Sequence, residues 1–538
     1  MARNQWTRRS FLQQTIRAAA GVGVGWKVAR ADTTASRLAR PNFLIILADD
    51  MGFSDLGCYG SEIHTPNLDR LAAEGIRFTQ AYSAARCCPS RAALLTGLNP
   101  HQAGMGDMVS RVGQHKPPGP YQGYLNDRCV TLAEVLRPAG YRTYMSGKWH
   151  VGEAPEHWPR RRGFDRYYGL ISGASSYFEI LDEGPNTRVM ALDDEPIRPE
   201  GDHFYMTDAF TDYAVRYIRE HDPAQGPFLL YLAYTAPHWP LHALPEDIAK
   251  YRGKYREGWD HLREQRYARM REMGIIRPEW ALSPRDPEVP AWDQVADQDD
   301  MDLRMAVYAA MIDRMDQGIG RVLDALRERG VAENTLVLFL SDNGGCHESI
   351  MDRKLHKPGT RAGDRGSYLA YERGWANASN TPFRWFKHWV HEGGIAMPLI
   401  AWWPAGIRQR GALTDQVAHI TDVLPTCLEL AGATYPDTVN GRPVTPLFGR
   451  SLVPVLAGQA RDPHPRLYWE HEGNRAIREG KWKLVATDSG PWELYDMEAD
   501  RTELRNLADQ YPDRAAALLA AWRQWADATG VKYRKGAS

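Results

Sequence analysis

The sequence predicts an α/β fold, with a large, mostly parallel sheet sandwiched by helices and a small C-terminal α+β domain that has an antiparallel sheet. Three short apolar runs, at residues 43–47, 228–232 and 336–340, predict buried strands. Apolar residues recur at helical spacing between them, for example over 305–329, which is typical of helices that cover both faces of a parallel sheet. A chain of 538 residues with 43% hydrophobic residues can bury a core of this size.

The first residues have the features of an export signal rather than of a folded domain. The pair Arg8-Arg9 precedes a weakly apolar stretch at 18–24, and the small residues that a signal peptidase reads follow at 29–31. We therefore predict a twin-arginine signal peptide over residues 1–31 and export into a bacterial periplasm. A basic amphipathic N-terminal helix is the alternative. Beyond this leader no apolar run reaches the ~18 residues that span a bilayer, so we expect no membrane span in the mature chain.

Residues 38–456 are predicted to form the main domain, and two of its strands end in acidic clusters. Asp49-Asp50 follows the first apolar run and Asp342-Asn343 follows the third. In such sheets the ligand crevice lies beyond the carboxyl ends of the strands, where both clusters are expected. Their four oxygen-bearing side chains suit a hard cation such as Ca²⁺, although each pair alone is also an ordinary turn sequence.

The other segments are interpreted from their composition. Residues 240–300 are rich in charge, Trp and Pro and are expected to be a helical excursion, whereas 352–380 is expected to be a long basic loop. After residue 456 the sequence changes to short strand-like pieces and then a helix over 512–528, which predicts the small domain over 457–538. The strand-like pieces lie at 467–469, 476–478, 482–485 and 493–495.

Composition excludes one class of function and leaves the cysteines unassigned. The formal net charge is −1 and no Lys/Arg run occurs outside the first residues, so we do not expect a nucleic-acid-binding protein. The six cysteines are scattered along the chain, and their spacing predicts neither a disulfide framework nor a zinc site.

Two adjacent cysteines stand at the start of the segment RCCPSRAALLTG, residues 86–97. Pro89 can begin a helix and Gly97 is suited to the position just past its end, so the cysteines are expected at the helix N-terminus. Free N–H groups and the helix dipole favour an anion there, and Arg91 lies one turn inside with a fork that suits an oxyanion. Taken alone, a cysteine at a helix start is more often a packing residue than a catalytic one.

The whole string resembles the signature of the formylglycine-dependent sulfatases, Cys-x-Pro-Ser-Arg followed by Leu-Thr-Gly. Two more strings are similar to the family, GYRTYMSGKWHVG at 140–152 and APHWPL at 236–241, and the resemblance extends from Pro41 to the C-terminus. It is closest to secreted bacterial arylsulfatases and implies an alkaline-phosphatase-like main domain. It also implies that a formylglycine-generating enzyme converts Cys87 to formylglycine (3-oxoalanine), while Cys88 occupies a variable position.

The resemblance assigns one bound Ca²⁺ and a set of catalytic residues. The metal ligands that it implies are Asp49, Asp50, Asp342, Asn343 and the modified Cys87. The catalytic residues that it implies are Cys87, Arg91, Lys148, His150, His238, Asp342 and Lys387. Among these, Asp342 would take the proton of the nucleophile and His150 the proton of the second hydroxyl, whereas His238 and Lys387 would protonate or stabilise the departing oxygen.

The sequence thus predicts an arylsulfatase that hydrolyses small-molecule sulfate esters after export by the twin-arginine machinery. Three alternatives remain. The leaving group could be a sulfated carbohydrate, because the long loops that form the pocket walls are poorly predicted from sequence. The same nucleophile and metal could instead hydrolyse phosphonate or phosphate esters. A catalytically silent calcium-binding protein with an unmodified Cys87 is the third alternative.

Overall fold

The structure is a computed structural model that describes residues 40–110, 116–182, 187–199, 201, 203–351 and 354–533. The predicted signal peptide, residues 1–31, lies outside the described residues. From residue 40 onward the described chain belongs to one compact unit. In this part of the chain, no helix is both long enough and apolar enough to pass through a lipid bilayer.

The main sheet contains eleven strands within the described residues and is mostly parallel, as predicted. Its strands are β1 (Asn42–Asp49), β2 (Ile76–Tyr82), β3 (Arg142–Gly147), β4 (Arg166–Leu170), β5 (Met190–Leu192), β6 (Glu195–Ile197), β7 (Phe228–Pro237), β8 (Thr335–Ser341), β9 (Ala396–Trp402), β10 (Ala412–Thr414) and β11 (Ala418–His419). Their order is β10-β2-β9-β8-β1-β7-β3-β4-β5-β6, with β11 also paired to β2. The centre, β8-β1-β7-β3-β4, is parallel, whereas β9 runs antiparallel to β8 and β2.

Helices cover both faces of this sheet. Successive residues of the central strands point to opposite faces, and the residues on both faces are apolar. On β1, Leu44 and Ile46 belong to one core and Ile45 and Leu47 to the other. The helices of the described chain are α1 (Pro66–Glu74), α2 (Cys87–Thr96), α3 (Leu132–Leu136), α4 (Met206–Glu220), α5 (Pro245–Ala249), α6 (Gly258–Glu272), α7 (Gln298–Glu328), α8 (Glu372–Ser379), α9 (Glu392–Ile395), α10 (Val423–Ala431), α11 (Val453–Leu456) and α12 (Pro512–Thr529). Helices α1, α4 and α7 pack on the first core, and α2, α3 and α10 on the second.

The segment over 240–300 contains α5 and α6, as expected for a helical excursion, whereas the segment over 352–380 contains more regular structure than its composition predicts. Helix α7 begins at Gln298 because the Asp297 side chain caps it by accepting the N–H of Asp300 at 2.9 Å. The segment predicted as a loop over 352–380 ends in α8, whose Trp375 packs edge-on against Trp259 at 5.4 Å. Tertiary packing of this indole, rather than local propensity, accounts for the helix.

A second, four-stranded antiparallel sheet forms near the C-terminus, as predicted. It consists of β14 (Leu467–His471), β15 (Asn474–Glu479), β16 (Trp482–Ala486) and β17 (Glu493–Asp496), in that order, after the short hairpin β12 (Thr438–Val439) and β13 (Arg442–Pro443). One face of this sheet packs on α12 through residues such as Leu484 and Trp522. Trp469 and Val485 pack instead against Tyr82 of the main sheet.

Buried charges join this C-terminal sheet to the main domain. Glu392, the first residue of α9, accepts hydrogen bonds from Lys483 at 2.8 Å and from Arg501 at 2.7 Å. Lys483 also pairs with Glu503 at 2.8 Å, and the side chains of Lys483, Arg501 and both glutamates are fully buried. This network fixes the C-terminal sheet against the segment that leads into β9.

Candidate active site

The carboxyl ends of β1 and β8 place four polar side chains next to one another. Asp49 is the last residue of β1, and Asp342 directly follows β8, its parallel neighbour. The backbone N–H of Asp50, a residue with φ of 64°, donates to Oδ1 of Asp342 at 3.2 Å. Nδ2 of Asn343 donates to Oδ1 of Asp50 at 2.8 Å. All four residues are at most 1% exposed, so this is a buried acidic cluster.

Helix α2 brings Cys87 to the same point. The helix begins at Cys87, two residues before Pro89, because Arg86 has the extended conformation of an N-cap, and it ends at Gly97 with φ of 67°. A possible ligand atom from each of Cys87, Asp49, Asp50 and His238 lies within 4.8 Å of the others. Burial raises the pKa of the Cys87 thiol, which therefore stays protonated near neutral pH and is a poor nucleophile without modification.

Three cationic side chains surround the carboxylates. Arg91 donates from Nη2 to Asp342 at 2.9 Å and lies 3.5 Å from Asp49. Lys148, which directly follows β3, pairs with Asp49 at 2.5 Å. Lys387 donates to Oδ2 of Asp50 at 2.8 Å. Because burial removes water from these charges, removing one member of a pair leaves a buried charge without compensation. Such a loss costs more stability than breaking a pair at the surface.

Two histidines face the cluster in neutral form. Nδ1 of His238 lies 2.6 Å from the carbonyl oxygen of Trp239 and donates to it, which leaves the lone pair of Nε2 facing Nζ of Lys387 at 3.3 Å. Burial lowers the pKa of His238 to about 4. Burial also lowers the pKa of His150 well below its ordinary value. A Cβ at Gly173 would lie 2.4 Å from Nε2 of His150, so the absence of a side chain there makes room for the imidazole.

The donor set fits a hard divalent cation. Oδ1 of Asp49 and Oδ1 of Asn343 are buried and have no hydrogen-bond partner among the described residues. Unpartnered oxygens are costly in the absence of a ligand and are the atoms that Ca²⁺ prefers. Burial and the neighbouring Asp49 raise the pKa of Asp342, the response of a carboxylate that lacks enough positive charge nearby.

A pocket of about 240 Å³ opens over Cys87. Its walls include the apolar side chains of Met108, Val109 and Trp239 as well as polar groups. The polar lining residues are Arg86, His150, Glu153, Arg188, His238, Glu348 and Lys387.

The structure therefore brings all the sequence-predicted site residues to one place. It also places Glu348, for which the sequence predicts no role, beside Lys387. Glu348 accepts from Nη2 of Arg86 at 2.9 Å and from Nε1 of Trp239 at 2.9 Å, and it lies 4.0 Å from Nζ of Lys387. The position of Glu348, shortly after the acidic end of β8, is the one signal in the sequence that could have pointed to it.

Comparison with known proteins agrees with this architecture. The sulfatase family profile matches residues 41–433, and a second profile, described as N-sulphoglucosamine sulphohydrolase, C-terminal, matches residues 382–521. The chain is 36% identical to an uncharacterised sulfatase of Schizosaccharomyces pombe over 91% of this chain and 94% of that protein. It is 34% identical to an arylsulfatase of Klebsiella aerogenes over 79% of this chain and 94% of the relative.

Carbohydrate sulfatases are also among the relatives. The human N-acetylgalactosamine-6-sulfatase is 30% identical, over 87% of this chain and 76% of that protein. The crystal structure of Ps i-CgsB in complex with k-i-k-neocarrahexaose superimposes with a TM-score of 0.67 at 26% identity and covers 90% of this chain and 92% of that one. The profile match across most of the chain and the identity to full-length relatives show that this protein belongs to the sulfatase family, whose activity is the hydrolysis of sulfate esters.

Proposed function

We propose that the protein is an arylsulfatase that hydrolyses sulfate monoesters to an alcohol or phenol and inorganic sulfate. The observation that carries this proposal is the convergence of Cys87, at the start of α2, with the acidic cluster and with His238. The apolar wall formed by Met108, Val109 and Trp239 supports an aryl leaving group, because an aromatic ring could pack there. The Klebsiella arylsulfatase relative points in the same direction.

Residue 87 is proposed as the nucleophile after conversion to formylglycine. In its hydrated form this residue would supply two hydroxyls on one carbon, one to attack sulfur and one whose deprotonation releases sulfate. Asp342 is proposed to accept the proton of the first hydroxyl and His150 that of the second. Burial keeps His150 neutral, as a base must be.

Asp49, Asp50, Asp342 and Asn343, together with residue 87, are proposed to hold one Ca²⁺. The bound ion would supply positive charge that lowers the pKa of the attacking hydroxyl and polarises a sulfate oxygen. Arg91 and Lys148 already pair with carboxylates of this cluster, so they are oriented to meet negative charge that spreads over the sulfate oxygens as the ester bond breaks.

Lys387 and His238 are proposed to act together on the leaving oxygen. Since His238 is neutral and its Nε2 accepts from Lys387, the ammonium group is the proton source of the pair. Lys387 would give this proton to the leaving oxygen directly, or pass it to Nε2 of His238 through the 3.3 Å contact, after which His238 would donate it.

The test is turnover of 4-nitrophenyl sulfate by protein coexpressed with a formylglycine-generating enzyme and loaded with Ca²⁺. We expect activity in the wild type and in Cys88→Ala, since Cys88 packs in the core behind α2, and none in Cys87→Ala. Equal activity of Cys87→Ala and wild type would contradict the proposed nucleophile. Hydrolysis of matched phosphonate or phosphate esters should be slower.

A carbohydrate sulfatase is the second candidate. The relatives and the bound hexaose of the similar crystal structure favour it, as do the polar side chains of Glu153, Arg188 and Glu348 in the pocket wall, which could bind sugar hydroxyls. A panel of aryl sulfates and sulfated sugars separates the two candidates. Higher kcat/KM on a sugar sulfate than on any aryl sulfate would replace the aryl assignment.

We also propose that residues 1–31 direct export through the twin-arginine machinery into the periplasm. This pathway carries folded protein, so formylglycine would form in the cytoplasm before export. Cell fractionation with mass analysis of residue 87 tests both points. Cytoplasmic precursor that is entirely unmodified, beside modified periplasmic protein, would contradict the proposed order.

A further inference from the structure

Two histidines and a glutamate meet where the C-terminal sheet contacts the loop that carries Lys387. His388 lies on that loop, and its backbone N–H donates to the carbonyl of Ala85 at 2.9 Å. His471 is the last residue of β14, and Glu472 occupies the two-residue turn between β14 and β15. One possible ligand atom from each of the three residues lies within 4.8 Å of the others.

The distances between these atoms are close to those around a tetrahedral metal ion. Oε2 of Glu472 is 2.8 Å from Nδ1 of His388, and its other oxygen is 3.8 Å from Nε2 of His471. Zinc–nitrogen bonds of ~2.0–2.1 Å in tetrahedral geometry place neighbouring ligand atoms about 3.3 Å apart. The two separations lie on either side of this value and involve different oxygens of Glu472, so side-chain movement would bring the three ligand atoms onto one ion.

A second observation concerns His471 itself. Its side chain is fully buried, yet neither ring nitrogen has a hydrogen-bond partner among the described residues. Burial lowers the pKa of His471 to about 4, so the ring is neutral and offers a lone pair. A buried lone pair that faces a carboxylate oxygen without a hydrogen bond is unfavourable alone, and a cation bound between the two groups would satisfy both.

The backbone of Glu472 has a left-handed conformation that is unfavourable for a glutamate. Glu472 has φ of 46° and Gly473 has φ of 86°, the left-handed pair of a tight hairpin turn in which Asn or Gly is preferred. Glu472 keeps 42% of its side chain exposed, so solvent can reach the point between the three residues and supply a fourth ligand.

From this geometry we propose that His388, His471 and Glu472 bind a divalent transition-metal ion of the zinc class, at a site separate from the acidic cluster. Two imidazoles, one carboxylate and an open position suit such an ion better than Ca²⁺, which prefers oxygen ligands alone. The ion would join the β14–β15 hairpin to the loop that follows Lys387, in addition to the buried network around Glu392.

Ion binding has a defined effect on the partner of His388. Nδ2 of Asn474 lies 3.1 Å from Nε2 of His388 and also donates to the carbonyl of His471 at 3.2 Å. A metal on Nδ1 leaves the imidazole proton on Nε2, so Asn474 has to present its oxygen to the ring instead. Asn474→Asp would provide a carboxylate for that proton, the arrangement that strengthens histidine ligands.

The experiment measures the binding of Zn²⁺ to the full mature chain, and the binding of Co²⁺ from its visible spectrum. Excess Ca²⁺ is present throughout so that it occupies the acidic cluster. We expect one equivalent of Zn²⁺ and a tetrahedral Co²⁺ spectrum. Loss of a residue that only hydrogen-bonds to a metal ligand weakens metal binding about 10–100-fold. Glu472→Gln and His388→Gln should weaken binding by more than this, because each removes a proposed ligand. Asn474→Asp should tighten it.

Glu493→Gln is the matched control, because it removes the carboxylate of another histidine–glutamate pair, His391–Glu493, at 3.3 Å. It should bind Zn²⁺ as the wild type does. Thermal melting confirms that each variant is folded, and Zn²⁺ should raise Tm in the wild type and not in Glu472→Gln. A lack of Zn²⁺ binding by the wild type, or equal binding by folded Glu472→Gln, would overturn the site.

Discussion

The ammonium group of Lys387 lies 2.8 Å from the carboxylate of Asp50, and this contact joins the loop before β9 to the end of β1. The same ammonium group contacts Nε2 of His238 at 3.3 Å. One lysine therefore connects the proposed metal ligands with the proposed leaving-group side of the pocket.

Replacement of Lys387 should slow hydrolysis most for poor leaving groups. In Lys387→Met we expect kcat to fall about 10²–10⁴-fold, the range of general acid catalysis, because the donor to the departing oxygen is lost. The measurement is kcat for a series of aryl sulfates against the pKa of the released phenol. A loss that is the same for good and poor leaving groups would instead assign Lys387 a structural role.

Glu348→Gln should lower kcat/KM about tenfold, which corresponds to a loss of about 1.4 kcal/mol of transition-state stabilisation. The change removes a negative charge near Lys387 and disrupts one of the two hydrogen bonds that Glu348 makes with Arg86 and Trp239. Glu348→Ala should cost more, because it removes both. Steady-state kinetics on 4-nitrophenyl sulfate checks the order, and equal rates for all three proteins would show that Glu348 does not position the pocket.

Lys483→Met should destabilise the fold by about 3–5 kcal/mol, because it leaves the buried Glu392 and Glu503 with one cationic partner fewer. Urea unfolding measures the loss. Lys481→Met provides a matched control, since the Lys481–Asp496 pair is partly exposed and should contribute little to stability. Similar stability of the two variants would contradict the importance of the buried network.

Stability should also fall in acid through Glu392. Burial alone would raise its pKa, but Lys483, Arg501 and Arg478 lower it to about 2. Because this pKa is lower in the folded state than in the unfolded state, the glutamate stabilises the fold at pH values above its unfolded-state pKa of about 4.3. This stabilisation is lost as the pH falls from there toward 2. Urea unfolding between pH 5 and the acid limit of folding should therefore show a steeper loss in the wild type than in Glu392→Gln. Parallel curves would refute the assignment.

Removal of Ca²⁺ by a chelator should abolish turnover and lower Tm, and added Ca²⁺ should restore both. An ion at about 100 times its Kd stabilises the folded state by about 2.7 kcal/mol. Asp50→Asn should lose most of this calcium-dependent shift, because it removes a charge from the cluster. Full activity in the chelator would exclude the proposed role of the metal.

The sequence was sufficient for those parts of the fold and site that depend on local pattern. Apolar runs located β1, β7 and β8, and the parallel order of the strands brings Asp49 and Asp342 together. Contacts between distant segments were not predictable in this way. Glu348 has no periodic or motif signal, and the approach of His388 to Glu472 depends on how the C-terminal sheet docks. Helix α8 was missed because the packing of Trp375 stabilises it.

Mass spectrometry of the peptide that spans Cys87 and Cys88 is the most direct test of the proposal that Cys87 becomes the nucleophile of a sulfatase. The protein should come from its native host, with fragmentation of the peptide to locate any change. We expect an aldehyde in place of the CH₂–SH group of Cys87 and an intact thiol at Cys88. Two unmodified cysteines in protein that hydrolyses sulfate esters, or a change on Cys88 alone, would contradict it.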